Sequence, residues 1–207
     1  MQTVAAERWR IALLSGALMA LSASGCAPDC DEIAETAAEI VLGTGASNED
    51  YRPVVEGETL EAVFGGQGGQ HIWAGFRGWG MSPGPPLLNS LNSDQLPVAY
   101  FSIEADPGVL AAGGPNRAEL TKNDDGSFQG AGQIAFLNIW PETLPSLFPD
   151  NYEEQGQSWD VTMELLRGVL DDIESRDWLM SVQLTDQCGF EAEASATIRV
   201  SGLETNP

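Results

Sequence analysis

The sequence predicts an all-β chain, an antiparallel sandwich with long loops, and three observations support this. Near the C-terminus Trp178, Met180, Val182 and Leu184 alternate with Leu179, Ser181 and Gln183, and Ala192, Ala194, Ala196, Ile198 and Val200 alternate with Glu193, Ser195, Thr197 and Arg199. A period of two with one wet face marks antiparallel strands. Short apolar segments also recur between turn-rich stretches such as Glu56-Gly57-Glu58, Gly65-Gly66-Gln67-Gly68-Gly69 and Asn123-Asp124-Asp125-Gly126. Many short strands with little helix pack as two stacked sheets.

The elements follow in order. Residues 1–25 read as a signal peptide to be cleaved: Arg8 and Arg10 precede an apolar run at 11–21, and Ser22, Ala23, Ser24 and Gly25 lead to Cys26. That run is short of the roughly 20 residues that a spanning helix needs. Ala23-Ser24-Gly25 satisfies the small-x-small rule of ordinary signal peptidase. Followed by Cys26, it also resembles a bacterial lipobox, with Ala23 where leucine is usual. Cysteine counting favours the lipobox. Three cysteines are odd for an oxidising compartment, and acylating Cys26 leaves Cys30 and Cys188 free to pair. In a Gram-negative cell, Ala27 after that cysteine resembles the signal for the outer membrane.

Residues 26–39 then form an acylated N-terminus and tether, 40–202 the sandwich, and 203–207 a C-terminal tail. Strands are expected at 40–42, 59–64, 71–77, 98–104, 118–122, 128–138, 159–165, 178–184 and 192–200. One segment has two readings. Trp159 to Leu165 alternates as a strand does, whereas Met163, Leu166, Leu170 and Ile173 also fit a helical stripe with Asp171, Asp172 and Glu174 on its wet face. Gly168 weighs against a helix, so strand, turn, strand is expected. Long connections rich in Pro, Gly and Asn are expected at 81–97, 107–116 and 141–157, the natural places for a binding surface.

Charge narrows the partners. The chain holds 31 acidic and 9 basic residues, a net charge of −22. Such a field repels nucleic acid and anionic headgroups. Lys122 is its only lysine.

Two resemblances add to this reading. Leu184-Thr185-Asp186-Gln187-Cys188-Gly189-Phe190-Glu191-Ala192, followed by an alternating strand, resembles the terminal hairpin of bacterial immunoglobulin-like domains. Val41-Leu42-Gly43-Thr44-Gly45 through Gly68-Gly69-Gln70-His71-Ile72-Trp73 is similar to surface lipoproteins of the myxobacterial type. They imply an immunoglobulin-like β-sandwich at the envelope and bring no activity with them.

The apparent catalytic motifs fail on their context. Gly80-Met81-Ser82-Pro83-Gly84 fits a nucleophile elbow, but that turn needs a helix after the serine, and Pro83, Pro85 and Pro86 oppose one. Gly130-Ala131-Gly132-Gln133-Ile134-Ala135 matches a relaxed dinucleotide fingerprint, yet it runs on into strand-like residues, which reads as a glycine-rich bulge. His71 is the only histidine, too few imidazoles for a transition-metal site. Calcium is the one inorganic option, at Asp124 and Asp125, where Asp-Asp-Gly is equally ordinary hairpin chemistry.

Trp159 and Trp178 are assigned to the core. Trp73 shares a strand face with His71 and Arg77, and with Trp79 these form a candidate binding platform.

The expectation is a non-enzymatic, lipid-anchored protein-interaction module without a cofactor. It is secreted to the cell envelope and outer membrane-anchored, with an envelope protein or cell-wall glycan as partner. The alternatives are a carbohydrate- or peptidoglycan-binding lipoprotein and an envelope hydrolase using paired carboxylates.

Overall fold

The computed structural model of the chain describes residue 30 and residues 37–65, 69–84, 95–106, 108–140, 143–148 and 159–205. The predicted signal peptide, Cys26 and most of the tether lie outside them. Strand β1 is Glu39–Thr44, β2 Arg52–Pro53, β3 Glu58–Glu61, β4 Val63–Phe64 and β5 Gln70–Trp79. Then follow β6 (Val98–Ala105), β7 (Gly108–Arg117), β8 (Thr121–Lys122) and β9 (Phe128–Phe136). Helix α1 (Trp159–Ser175) precedes the hairpin of β10 (Trp178–Thr185) and β11 (Glu191–Ser201).

Two sheets face each other. One runs β2-β1-β5-β9-β8, with β4 also paired to β5; the other runs β3-β11-β10-β6-β7. The chain changes sheet every one or two strands, so neighbours in sequence sit on both sides of a single core. Along one side the sheets meet, where Ala111 bridges Leu137 and the Asn138 amide donates to the Leu110 carbonyl at 2.7 Å. This closes half a barrel. One pair departs from the expected antiparallel pattern: β3 lies parallel to β11, Ile198 opposite Glu58.

Alternation decides what is buried. Ile72, Ala74 and Phe76 of β5 point inward, as do Phe101 and Ile103 of β6 and Met180, Val182 and Leu184 of β10. Trp178 is fully buried and its indole Nε1 donates at 3.0 Å to the Ile173 carbonyl in the last turn of α1, which also accepts from the Arg176 amide.

Two expectations are corrected. Residues 159–175 form one helix, not strand, turn, strand. The stripe Leu166, Val169, Leu170 and Ile173 lies against the core, and this face outweighs the poor propensity of Gly168, whose surroundings are open. Trp159 is therefore helical rather than on a strand, and its side chain lies outside the described residues. Residues 108–117, expected as a loop, form strand β7. Their alternation is hidden because the pairing with β6 shifts register twice, between Ala99 and Phe101 and between Ile103 and Glu104. Leu110 and Ala111 are thus both buried side by side. The strand expected at 118–122 contracts to β8. The described part of the 141–157 connection includes one 3-10 turn, Pro145–Leu147.

Candidate functional site

Strand β5 sets the geometry of the predicted platform. Its inward residues place His71, Trp73, Arg77 and Trp79 on the outward face of the first sheet. The structure divides these four into two groups. Gly43 and Gly75 stand opposite each other mid-face, and the Tyr51 ring occupies the space above Gly43, where any side chain would collide with it. The Tyr51 hydroxyl donates to the Val41 carbonyl at 3.1 Å. Burial pushes its pKa up to about 12, partly opposed by the charge of Arg77.

On one side of Tyr51, Arg77 donates from Nε to Ser127 Oγ at 2.8 Å and pairs with Asp125 at 2.7 Å. Its guanidinium lies 5.6 Å from the centre of the Trp79 ring. Asp125 Oδ1 accepts from both the Ser127 amide and hydroxyl. These Ser127 bonds, with Arg77 as a smaller contribution, hold the Asp125 carboxyl down at about 2. Both oxygens of Asp125 already accept hydrogen bonds, and Gly126 closes an ordinary turn by donating to the Asn123 carbonyl at 3.1 Å. This arrangement suits a hairpin better than a calcium cage. Among the described residues no group of three or more His, Cys, Asp or Glu side chains is placed to hold a metal ion.

On the other side of Tyr51 the face is apolar. His71 is 4% exposed, and neither ring nitrogen has a hydrogen-bond partner among the described residues. Its ring meets Trp73 edge-on at 4.7 Å between centroids and Phe136 at 6.0 Å. Val63 of β4 and Phe136 of β9 stand directly opposite His71, at 38% and 47% exposure, and Ile134 stands opposite Trp73. The sequence reading found His71 and Trp73 but missed Val63 and Phe136. Cross-strand register alone brings them together, and no sequence signal marked it.

A second surface lies on the outward face of the other sheet. The register aligns Ala112, Ser102, Ser181 and Ser195 in a row across β7, β6, β10 and β11. Ser102 and Ser181 share a 2.7 Å hydrogen bond. These small side chains floor a trough of about 480 Å³. Tyr100, Gln183 and Glu193 wall it on one side, Glu104 and Leu179 on the other. None of these residues was singled out from sequence as a site.

The other motifs have structural roles. Ser82 is 1% exposed; its hydroxyl accepts from Gln187 at 2.8 Å and its amide donates to Asp186 at 2.7 Å. Asp186 also accepts from the Cys188 and Phe190 amides, which shapes the β10–β11 turn. Gly130-Ala131-Gly132 is a bulge, where β9 spends one residue more than β5 between Ala74 and Phe76. Cys30 and Cys188 form a disulfide with Cα atoms 5.7 Å apart. Among the described residues no helix is long and apolar enough to cross a membrane.

No protein-family model, no curated protein and no solved structure matches this chain.

Proposed function

We propose that this chain is a non-enzymatic envelope protein, anchored by lipid on Cys26, that binds another protein through the apolar half of its first sheet. The observation that carries this is the Val63, Trp73, Ile134 and Phe136 cluster around the buried His71, whose ring nitrogens have no partner among the described residues. Val63 and Phe136 are exposed and Trp73 and Ile134 half-buried beside them, and apolar side chains grouped in this way mark interaction sites in soluble domains more than single ones do. A buried histidine with no partner among the described residues is costly, which favours a face that gains a contact when covered. The disulfide suits an exported protein.

An immunoglobulin-like sandwich belongs to the same proposal. The order β1-β5-β9-β8 corresponds to strands A-B-E-D of that fold, and β7-β6-β10-β11 to C′-C-F-G, in the same chain order.

The test is purification from gently solubilised native membranes, comparing the wild-type protein with Val63→Asp and Phe136→Asp. A stoichiometric partner lost in both variants, with melting temperatures retained, is the expected result. A protein that purifies alone in every form ends this reading.

The trough favours a second reading, glycan binding, at a place other than the tryptophans that prompted it. An exposed tyrosine ring, an amide and hydroxyls in one groove are the groups that stack on sugar rings and hydrogen-bond their hydroxyls. Glu104 and Glu193 with no basic wall residue favour a glycan without anionic groups. Calorimetric titration with neutral cello- and chito-oligosaccharides tests it. Binding weakened about tenfold, or roughly 1.4 kcal/mol, by Tyr100→Ala supports the site; no binding of either sugar rejects it.

A further inference from the structure

We infer that the Cys30–Cys188 bridge keeps the β10–β11 end of the protein next to its membrane and prevents the molecule from inverting. The inference rests on the proposed lipid at Cys26 and adds an orientation to it. Cys30 is four positions beyond Cys26, so the lipid lies at most about 14 Å along the chain from the bridge. The bridge ends at Cys188, in the tip between β10 and β11. Without it the chain first joins a sheet at Glu39 at the start of β1, 13 residues beyond Cys26, a reach of up to about 45 Å. The length to compare is that of the sandwich. Strand β5, at 10 residues, spans about 33 Å. A leash of 14 Å is shorter than the molecule and forbids inversion; one of 45 Å is longer and permits it.

The β10–β11 turn itself presents no charge, while Asp124 and Asp125 of the β8–β9 turn are exposed at the same end. Asp186 is buried and turned inward onto three backbone amides, and Gln187, Cys188, Gly189 and Phe190 carry no charge. Glu39 pairs with Trp79 at this end, so the chain enters the fold here too. Lys122 stands beside Phe128, which pairs with Gly78, placing the only lysine at the same end. Asp106, in the turn between β6 and β7, is at the opposite end, roughly 25 Å away along β6.

The lysine supplies the probe. Full-length lipidated protein is reconstituted in phosphatidylcholine vesicles that carry an acceptor dye on a fraction of their headgroups. A donor dye is attached to Lys122, or to Asp106→Lys in a Lys122→Arg background. Energy transfer is expected to be strong from Lys122 and several-fold weaker from position 106. In Cys30→Ser/Cys188→Ser protein the two are expected to converge. Equal transfer in the oxidised wild type overturns the orientation while leaving the anchor in place. Convergence missing in the serine variant shows that something other than the bridge orients the molecule, and overturns the inference. Mass analysis of the N-terminal peptide separates the remaining case: an unmodified Cys26 removes both the anchor and the orientation.

Discussion

Tyr51 and Asp125 carry the two pKa shifts that divide the candidate platform, and each has a measurable consequence. Tyr51 is held as a neutral phenol by burial, with a pKa of about 12. A folded pKa above the unfolded value of about 10 contributes stability that is complete below pH 10 and lost as pH rises through 12. An absorbance titration should therefore show a tyrosinate step near pH 12 that vanishes in Tyr51→Phe, and the variant should lose less stability between pH 10 and 12. Asp125 has the opposite sign. Its folded value of about 2 lies below the usual 3.8, so its contribution is present above pH 3.8 and lost as pH falls through 2. Ser127→Ala should return the carboxyl toward 3.8 in an NMR titration, since the Ser127 bonds are the main cause of its depression. Millimolar calcium should leave the melting temperature unchanged, because Arg77 and Ser127 already use both oxygens. A calcium-dependent rise would return Asp124 and Asp125 to the list of metal ligands. The Tyr51 shift was not readable in the sequence because it depends on the depth of a ring, whereas the Asp125 shift comes mainly from Ser127 two residues on and only its smaller Arg77 contribution comes from another strand.

At the scale of elements, what could be read in advance depended on how local the signal was. Strands β10 and β11 were legible because every second side chain is buried and the tip between them is built of turn residues. Strand β7 was not, because two register shifts break its period and Gly113, Gly114 and Pro115 look like loop. Helix α1 was misread because a short window of alternation at 159–165 was preferred to the helical stripe of Met163, Leu166, Leu170 and Ile173. Gly168 now tests the helix directly. It faces open space, so Gly168→Ala adds no clash and removes a flexible residue from the helix interior. The expected gain is about 0.5–1 kcal/mol in urea unfolding. A loss of stability would mean that position 168 is not helical. The binding candidates show the same limit. His71 and Trp73 were visible as neighbours on one strand, while Phe136 and the serine row required knowledge of which strand lies beside which.

For the whole molecule, the proposed anchor and the strand order together decide where ligands can reach. In antibody variable domains the loops joining B to C and F to G form the binding end. Under the proposed immunoglobulin-like strand order the corresponding connections are 80–97 and the β10–β11 turn, and the turn is the one bridged to Cys30. A membrane at that end leaves the two outward sheet faces as the accessible surfaces, which is where the apolar cluster and the trough lie. They are on opposite sides of a core about 10 Å thick, and Tyr100 lines only the trough and Phe136 only the apolar side, so a change at either residue should not propagate to the other face. Phe136→Asp should abolish capture of the protein partner and leave sugar binding within about twofold of wild type, and Tyr100→Ala should do the reverse. Both responses can be measured on the same purified samples, by co-purification and by calorimetry. If either substitution abolished both, the two faces would form one site reached around β7, whose Ala112, Gly113 and Gly114 border the trough on one side and the depression beside Ile134 and Phe136 on the other. Independent losses would instead describe a module that stands on its tether and binds a protein on one face and a glycan on the other.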